Sequence, residues 1–163
     1  MAASSRAIAE LSQSIAAYTA AVEAALAVKA ADLAEHLRAH VVQDKLSGQL
    51  LQVRTGALRD SIQAEVILGS DQVLARVFSS GDVKYAAIQE YGGRTPAHDI
   101  VPDKAKALAF LMGGETVFAR IVHHPGSTIP EHAYLRSSLA DMAGEIVGEL
   151  KAAAIAALAG GST

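Results

Sequence analysis

From Ser5 to Val42 the chain runs without a glycine or a proline, and its large apolar residues fall at Ile8, Leu11, Ile15, Tyr18, Val22, Leu26, Leu33, Leu37 and Val41. That three-four spacing in a run of strong helix formers predicts one long helix with a single apolar face. Unbroken, it would extend about 55 Å at 1.5 Å per residue. A compact domain of 163 residues has a radius of gyration of about 15 Å, so the helix must project or bend. Its apolar stripe then needs a neighbouring element, which another subunit can supply. Glu10, Glu23, Lys29, Asp32 and Glu35 interrupt the apolar sequence, so the expectation is neither a signal peptide nor a membrane span.

Composition narrows the chemistry. Hydrophobic residues make up 51% of the chain but aromatics only 4%, with no tryptophan, so the core is expected to be aliphatic and alanine-rich. Lys and Arg total 14 against 17 Asp and Glu, a net charge of −3 that offers no basic footprint for gripping nucleic acid. The absence of cysteine excludes disulfides, thiol nucleophiles and cysteine-based metal sites.

Beyond Gly48, Val53 to Ser61 reads as one short helical turn with Thr55 as its N-cap. Ile62 to Leu68 alternates, Gly69-Ser70-Asp71 turns the chain, and Val73 to Phe78 alternates again, which predicts a hairpin. Lys84 to Tyr91 suggests a short helix stopped by Gly92-Gly93, followed by an irregular loop from Arg94 to Pro102. A second hairpin is expected from Ala107–Met112 and Glu115–Val122 around Gly113-Gly114. Two prolines make His123 to Pro130 a rigid loop. A closing helix from about Glu131 to Ala159 carries a stripe of Leu135, Leu139, Met142, Ile146, Leu150 and Leu158. The fold class is therefore α+β: a long N-terminal helix, an antiparallel sheet of two β-hairpins and a long C-terminal helix. Residues 1–45 are expected as a helical extension, 46–159 as the α+β domain and 160–163 as a flexible tail.

No catalytic constellation stands out. His36 and His40 share a helical face but lack the glutamate of a zinc-protease helix, and strand alternation should send His123 and His124 to opposite faces. No Gly-x-Ser-x-Gly elbow, P-loop or dinucleotide fingerprint occurs. The expectation is no catalytic residue, no cofactor and no metal. Association features are richer: Tyr91 and Arg94 occupy one loop and Tyr134 and Arg136 follow another, types enriched at interface hot spots. Tyr85, Tyr91 and Tyr134 read equally well as core-edge residues with wet hydroxyls.

Three segments in order carry a resemblance over Gln49 to Leu150: Val53-Arg54-Thr55-Gly56-Ala57-Leu58-Arg59-Asp60-Ser61-Ile62, then Tyr85-Ala86-Ala87-Ile88-Gln89-Glu90-Tyr91-Gly92-Gly93, then His124-Pro125-Gly126-Ser127 to Ile129-Pro130 and Tyr134-Leu135-Arg136-Ser137-Ser138-Leu139. The chain thereby resembles the small tail-completion and neck proteins of tailed bacteriophages. Glu131-His132-Ala133-Tyr134 departs from the Ala-Arg-Pro-Phe often found there, lacking the proline and replacing Phe by Tyr.

The resemblance implies a structural virion protein rather than an enzyme, assembled in the bacterial host cytoplasm. It implies a homo-oligomeric ring, commonly of six subunits, at the head-tail junction, needed for tail maturation and head-tail joining. Its partners would be other neck and tail proteins, with no membrane, and genome DNA would pass through the ring without specific binding, as a slightly acidic surface favours. Candidate contact residues are Arg54, Thr55, Gly56 and Leu58 in the first segment, with Gly56 serving close approach or an unusual φ. Tyr85, Tyr91, Gly92 and Arg94 follow in the second. His124, Pro125, Ile129, Pro130, Tyr134 and Leu135 complete the set. Two other readings stand beside this one: a non-viral helical adaptor associating through Ile8 to Leu37, and a metal-dependent hydrolase using His36, His40 or His124.

Overall fold

Helix α1 spans Ala2–His40 and runs on into a π-helical segment, Val41–Lys45, closed by the Leu46 N–H donating to the Val41 carbonyl at 3.1 Å. This computed structural model describes residues 2–51, 54–70, 72–81 and 83–160. Val53, Asp71 and the expected tail residues 161–163 lie outside the described residues. The chain forms two packing units, residues 1–86 with 133–163 and residues 87–132.

In the first unit, α1 packs against α4 (Tyr134–Gly160) and against both strands of a hairpin, β1 (Ile62–Leu68) and β2 (Val73–Ser79). The hairpin register pairs Ile62 with Ser79 and Leu68 with Val73, and the Gly69 N–H donates to the Gln72 carbonyl at 2.9 Å across the turn. Arg76 and Glu65 sit directly opposite one another and meet at 2.8 Å. Short helix α2 (Ala57–Asp60) precedes β1.

The two halves of α1 differ. Ile8, Leu11 and Ile15 are exposed, whereas Ala30, Leu33 and Ala34 are buried, as is Val41 just beyond the helix. The core gathers Val41, Leu46, Leu58, Ile62, Ala86 and Tyr134, with Leu37, Val42, Leu51, Val77, Val83 and Leu135 packed around them. Tyr134 is its one aromatic ring, as a chain with 4% aromatics leads one to expect. Two ion-pair bridges tie the N-terminal half of the unit to α4: Lys29 to Glu149 at 3.0 Å, and Lys45 to Asp141 at 2.8 Å with His40 Nε2 3.3 Å from the same oxygen.

The second unit begins within α3 (Ala86–Tyr91) and consists of paired strands. β3 (Gly93–Arg94) pairs with β8 (Thr128–Ile129), and β4 (His98–Ile100) pairs with β7 (Val122–His124). β5 (Leu108–Met112) pairs with β6 (Glu115–Ala119) around Gly113 and Gly114, both at positive φ. All pairings are antiparallel.

The α+β class with long terminal helices and two hairpins is thus as the patterning indicates, and each hairpin forms its own two-stranded sheet. The loops expected over 94–102 and 123–130 contain β3 to β4 and β7 to β8, because each carries short runs that find ladder partners in the other. The Gly92-Gly93 stop is present, with φ at 68° and 148°.

Candidate functional site

The resemblance segments do not form three separate contact loops. Leu58 and Ile62 from the first, Ala86 from the second and Tyr134 from the third share one core. Tyr134, expected as an interface anchor, is 1% exposed, and its hydroxyl donates to the Ala86 carbonyl at 3.4 Å. Leu58 is likewise buried and Leu135 packs against the same cluster. These three are corrected from contact to core residues: a ring at the start of an amphipathic helix goes inward when apolar partners converge there.

Thr55 is not the cap residue itself. Gly56 takes that place at φ 79°, while the Ala57 N–H donates to the Thr55 hydroxyl at 3.3 Å. The positive φ accounts for Gly56, since a Cβ there would meet only side-chain atoms of Arg59 and Asp60. Arg54, Thr55, Tyr85, Tyr91, Arg94, Pro125 and Pro130 are exposed, and Gly92, His124 and Ile129 are half-buried.

Gly92 and Gly126 hold tight approaches inside the second unit. A Cβ on Gly126 would lie 2.2 Å from the Thr95 carbonyl oxygen, and one on Gly92 would lie 2.8 Å from the Glu131 nitrogen. Arg94 and Ile129 belong to the short β3–β8 ladder, where Thr95 and Ser127 exchange hydrogen bonds at 2.9 and 2.8 Å.

Histidines gather on β4 and β7 without reference to the sequence spacing. The His98 and His124 rings stack with centroids 5.0 Å apart, while His123 Nδ1 pairs with Asp99 on the opposite face, following strand alternation. His124 Nδ1 accepts from the Gly126 N–H at 3.0 Å, so the ring closes the loop that follows it. His36 lies near Asp32, and His40 contacts Asp44 and Asp141. Among the described residues no group of three or more His, Asp or Glu side chains is placed to hold a metal ion.

Titration follows the α4 bridges. The hydrogen bonds from Lys45 and then His40 hold the Asp141 carboxyl below its ordinary value, and the hydrogen bond to Glu149 raises Lys29 above its own.

Sequence reading missed the most exposed apolar surface. In the β5–β6 hairpin, Leu111 and Phe118 share one face through the register and are 76% and 70% exposed, with Met112 at the tip also exposed. In the first unit an apolar groove of about 660 Å3 is lined by Leu26, Ala27, Leu74, Ile146 and Leu150 among others, with Glu23 as its charged residue.

Helix residues Arg6–Lys45 are long and apolar enough to cross a membrane by length and composition, with 6% of the most apolar window buried. The scattered charges therefore interrupt this stretch less than expected. The same helix continues into the core at Ala30 and Leu33.

Comparison with protein-family models, curated proteins and solved structures yields no match.

Proposed function

We propose that the chain is a structural component of a tailed-phage virion, a tail-completion or neck subunit that assembles with copies of itself and with adjoining neck and tail proteins at the head-tail junction. One observation carries the reading. The three segments whose order resembles that family converge on a single core, Leu58 and Ile62 with Ala86 and Tyr134, as residues that specify a shared fold must.

The surface supports the same reading. Exposed apolar residues stand on α1, on α4 and on the β5–β6 hairpin, so two different patches are available for head-to-tail contact, the arrangement that closes a ring. A net charge of −3 would let DNA slide past rather than hold it.

The test is made in a phage whose genome carries this coding sequence. Deleting it should leave filled heads and tails unjoined, and gold-labelled subunits in complemented virions should mark the junction. Infectious particles built without the protein would overturn the reading.

A further inference from the structure

The β5–β6 hairpin is a two-stranded sheet with a large apolar face turned to solvent. A lone hairpin is marginally stable in water and needs a packed face for support. On β5–β6 one face carries Leu108, Phe110, Val117 and Ala119, each less exposed than the other face's Leu111 and Phe118, with Met112 and Glu115 exposed at its turn end. Away from the turn, the uncovered face is therefore the one that carries Leu111 and Phe118. Monomeric proteins seldom leave such a face bare.

We infer that the Leu111–Phe118 face of β5–β6 inserts into the apolar groove between α1, β1–β2 and α4 of a second copy of this chain. The inference rests on reading the chain as an assembly component and names the two surfaces that assembly uses. Two observations select a second copy as the occupant. The groove, about 660 Å3, is walled by Leu26, Leu74, Ile146 and Leu150 and is open to a partner side chain. Its charged lining residue, Glu23, is opposite in sign to Arg120, two residues beyond Phe118, and so complements it. Hairpin and groove are different surfaces, so the contact is heterologous and leaves each chain one free hairpin and one free groove until closure.

The experiment uses the full purified chain and two variants changed at exposed positions: Leu111→Asp with Phe118→Asp in the hairpin, and Leu68→Asp with Leu74→Asp in the groove. Masses are read by light scattering at about 50 μM, well above a micromolar Kd, with circular dichroism confirming helix content. The unaltered chain should be oligomeric and each variant alone a 16.8 kDa monomer. An equimolar mixture should give a species of twice that mass and no larger, because only one intact hairpin and one intact groove remain per pair. Three results overturn the inference: a monomeric unaltered chain, an oligomer that survives in either variant, or a mixture that stays monomeric. A variant that loses its helix content is replaced by Glu23→Arg, which should weaken the oligomer, and Glu23→Arg with Arg120→Glu, which should restore it; failure of that rescue also overturns the inference. Success here with infectious virions lacking the protein would remove the phage reading and leave the interface standing.

Discussion

The Tyr134 hydroxyl donates to the Ala86 carbonyl oxygen at 3.4 Å, joining two residues that stand on either side of residues 87–132. Within that inserted unit the His132 N–H donates to the Gln89 carbonyl at 3.0 Å, so its two chain ends are also clasped. An insertion whose ends meet lets the host unit keep its core continuous: Ile62 and Val41 on one stretch of chain pack with Tyr134 on another.

Tyr134→Ala should therefore act on stability. Removing a ring that is 1% exposed costs about 3–5 kcal/mol, as for other large buried aromatics. Tyr134→Phe, which keeps the ring and removes the hydroxyl, should cost less than Tyr134→Ala. Urea unfolding of both variants measures this, and an unchanged midpoint for Tyr134→Ala would show that the ring is not in the core.

Ala133 has φ 47°, the one non-glycine residue with positive φ among those described. Proline is locked near −65°, so the proline that the resembled family carries here cannot take this conformation. Ala133→Pro should destabilise by more than about 1 kcal/mol, whereas Ala133→Gly relieves the strain and should be neutral or better. Thermal melts of the pair decide it; a tolerated proline would mean a different lead-in to α4.

Inside residues 87–132, Gly126→Ala should disrupt the loop, since its Cβ would lie 2.2 Å from the Thr95 oxygen at a φ of 86°. Gly113→Ala meets open space and should cost only the left-handed backbone penalty, about 1–2 kcal/mol. Amide exchange at Thr95 and Ser127 reports the difference, with rapid exchange expected in the first variant alone.

The α4 bridges should make a modest contribution to the pH dependence of stability, since their charges are open to solvent. The Asp141 carboxyl is held low by Lys45 and His40, so its contribution is complete above the unfolded carboxylate pKa and is lost as pH falls through the lower folded value. Lys29 is raised by Glu149, so its contribution is complete below the unfolded lysine pKa and fades as pH rises through the higher folded one. Comparing Tm across pH, Asp141→Asn should flatten the acid limb and Lys29→Met the alkaline limb. Limbs unchanged by either substitution would assign the pH dependence to other groups.

The two halves of α1 should respond differently to substitution. Leu33→Ala in the packed half should cost about 2–5 kcal/mol, while Ile15→Asp in the exposed half should leave the unfolding midpoint of the monomer in place. Equal losses at both sites would show that the N-terminal turns of the helix are packed as well.

Local pattern alone identified α1 and α4, both hairpins, the Gly92-Gly93 stop and the α+β class, because helix and strand periods and glycine's freedom at positive φ act over a few neighbouring residues. Which way Tyr134 points was open in the sequence, where the same ring suits an interface or a core. Only the convergence of Leu58, Ile62, Ala86 and Val41 around it decided for the core. The short ladders of β3 with β8 and β4 with β7 were illegible for the same reason, since two- and three-residue strands exist only by virtue of distant partners. So was the bare face of Leu111 and Phe118: alternation says which residues share a face, but tertiary packing alone determines which face it covers.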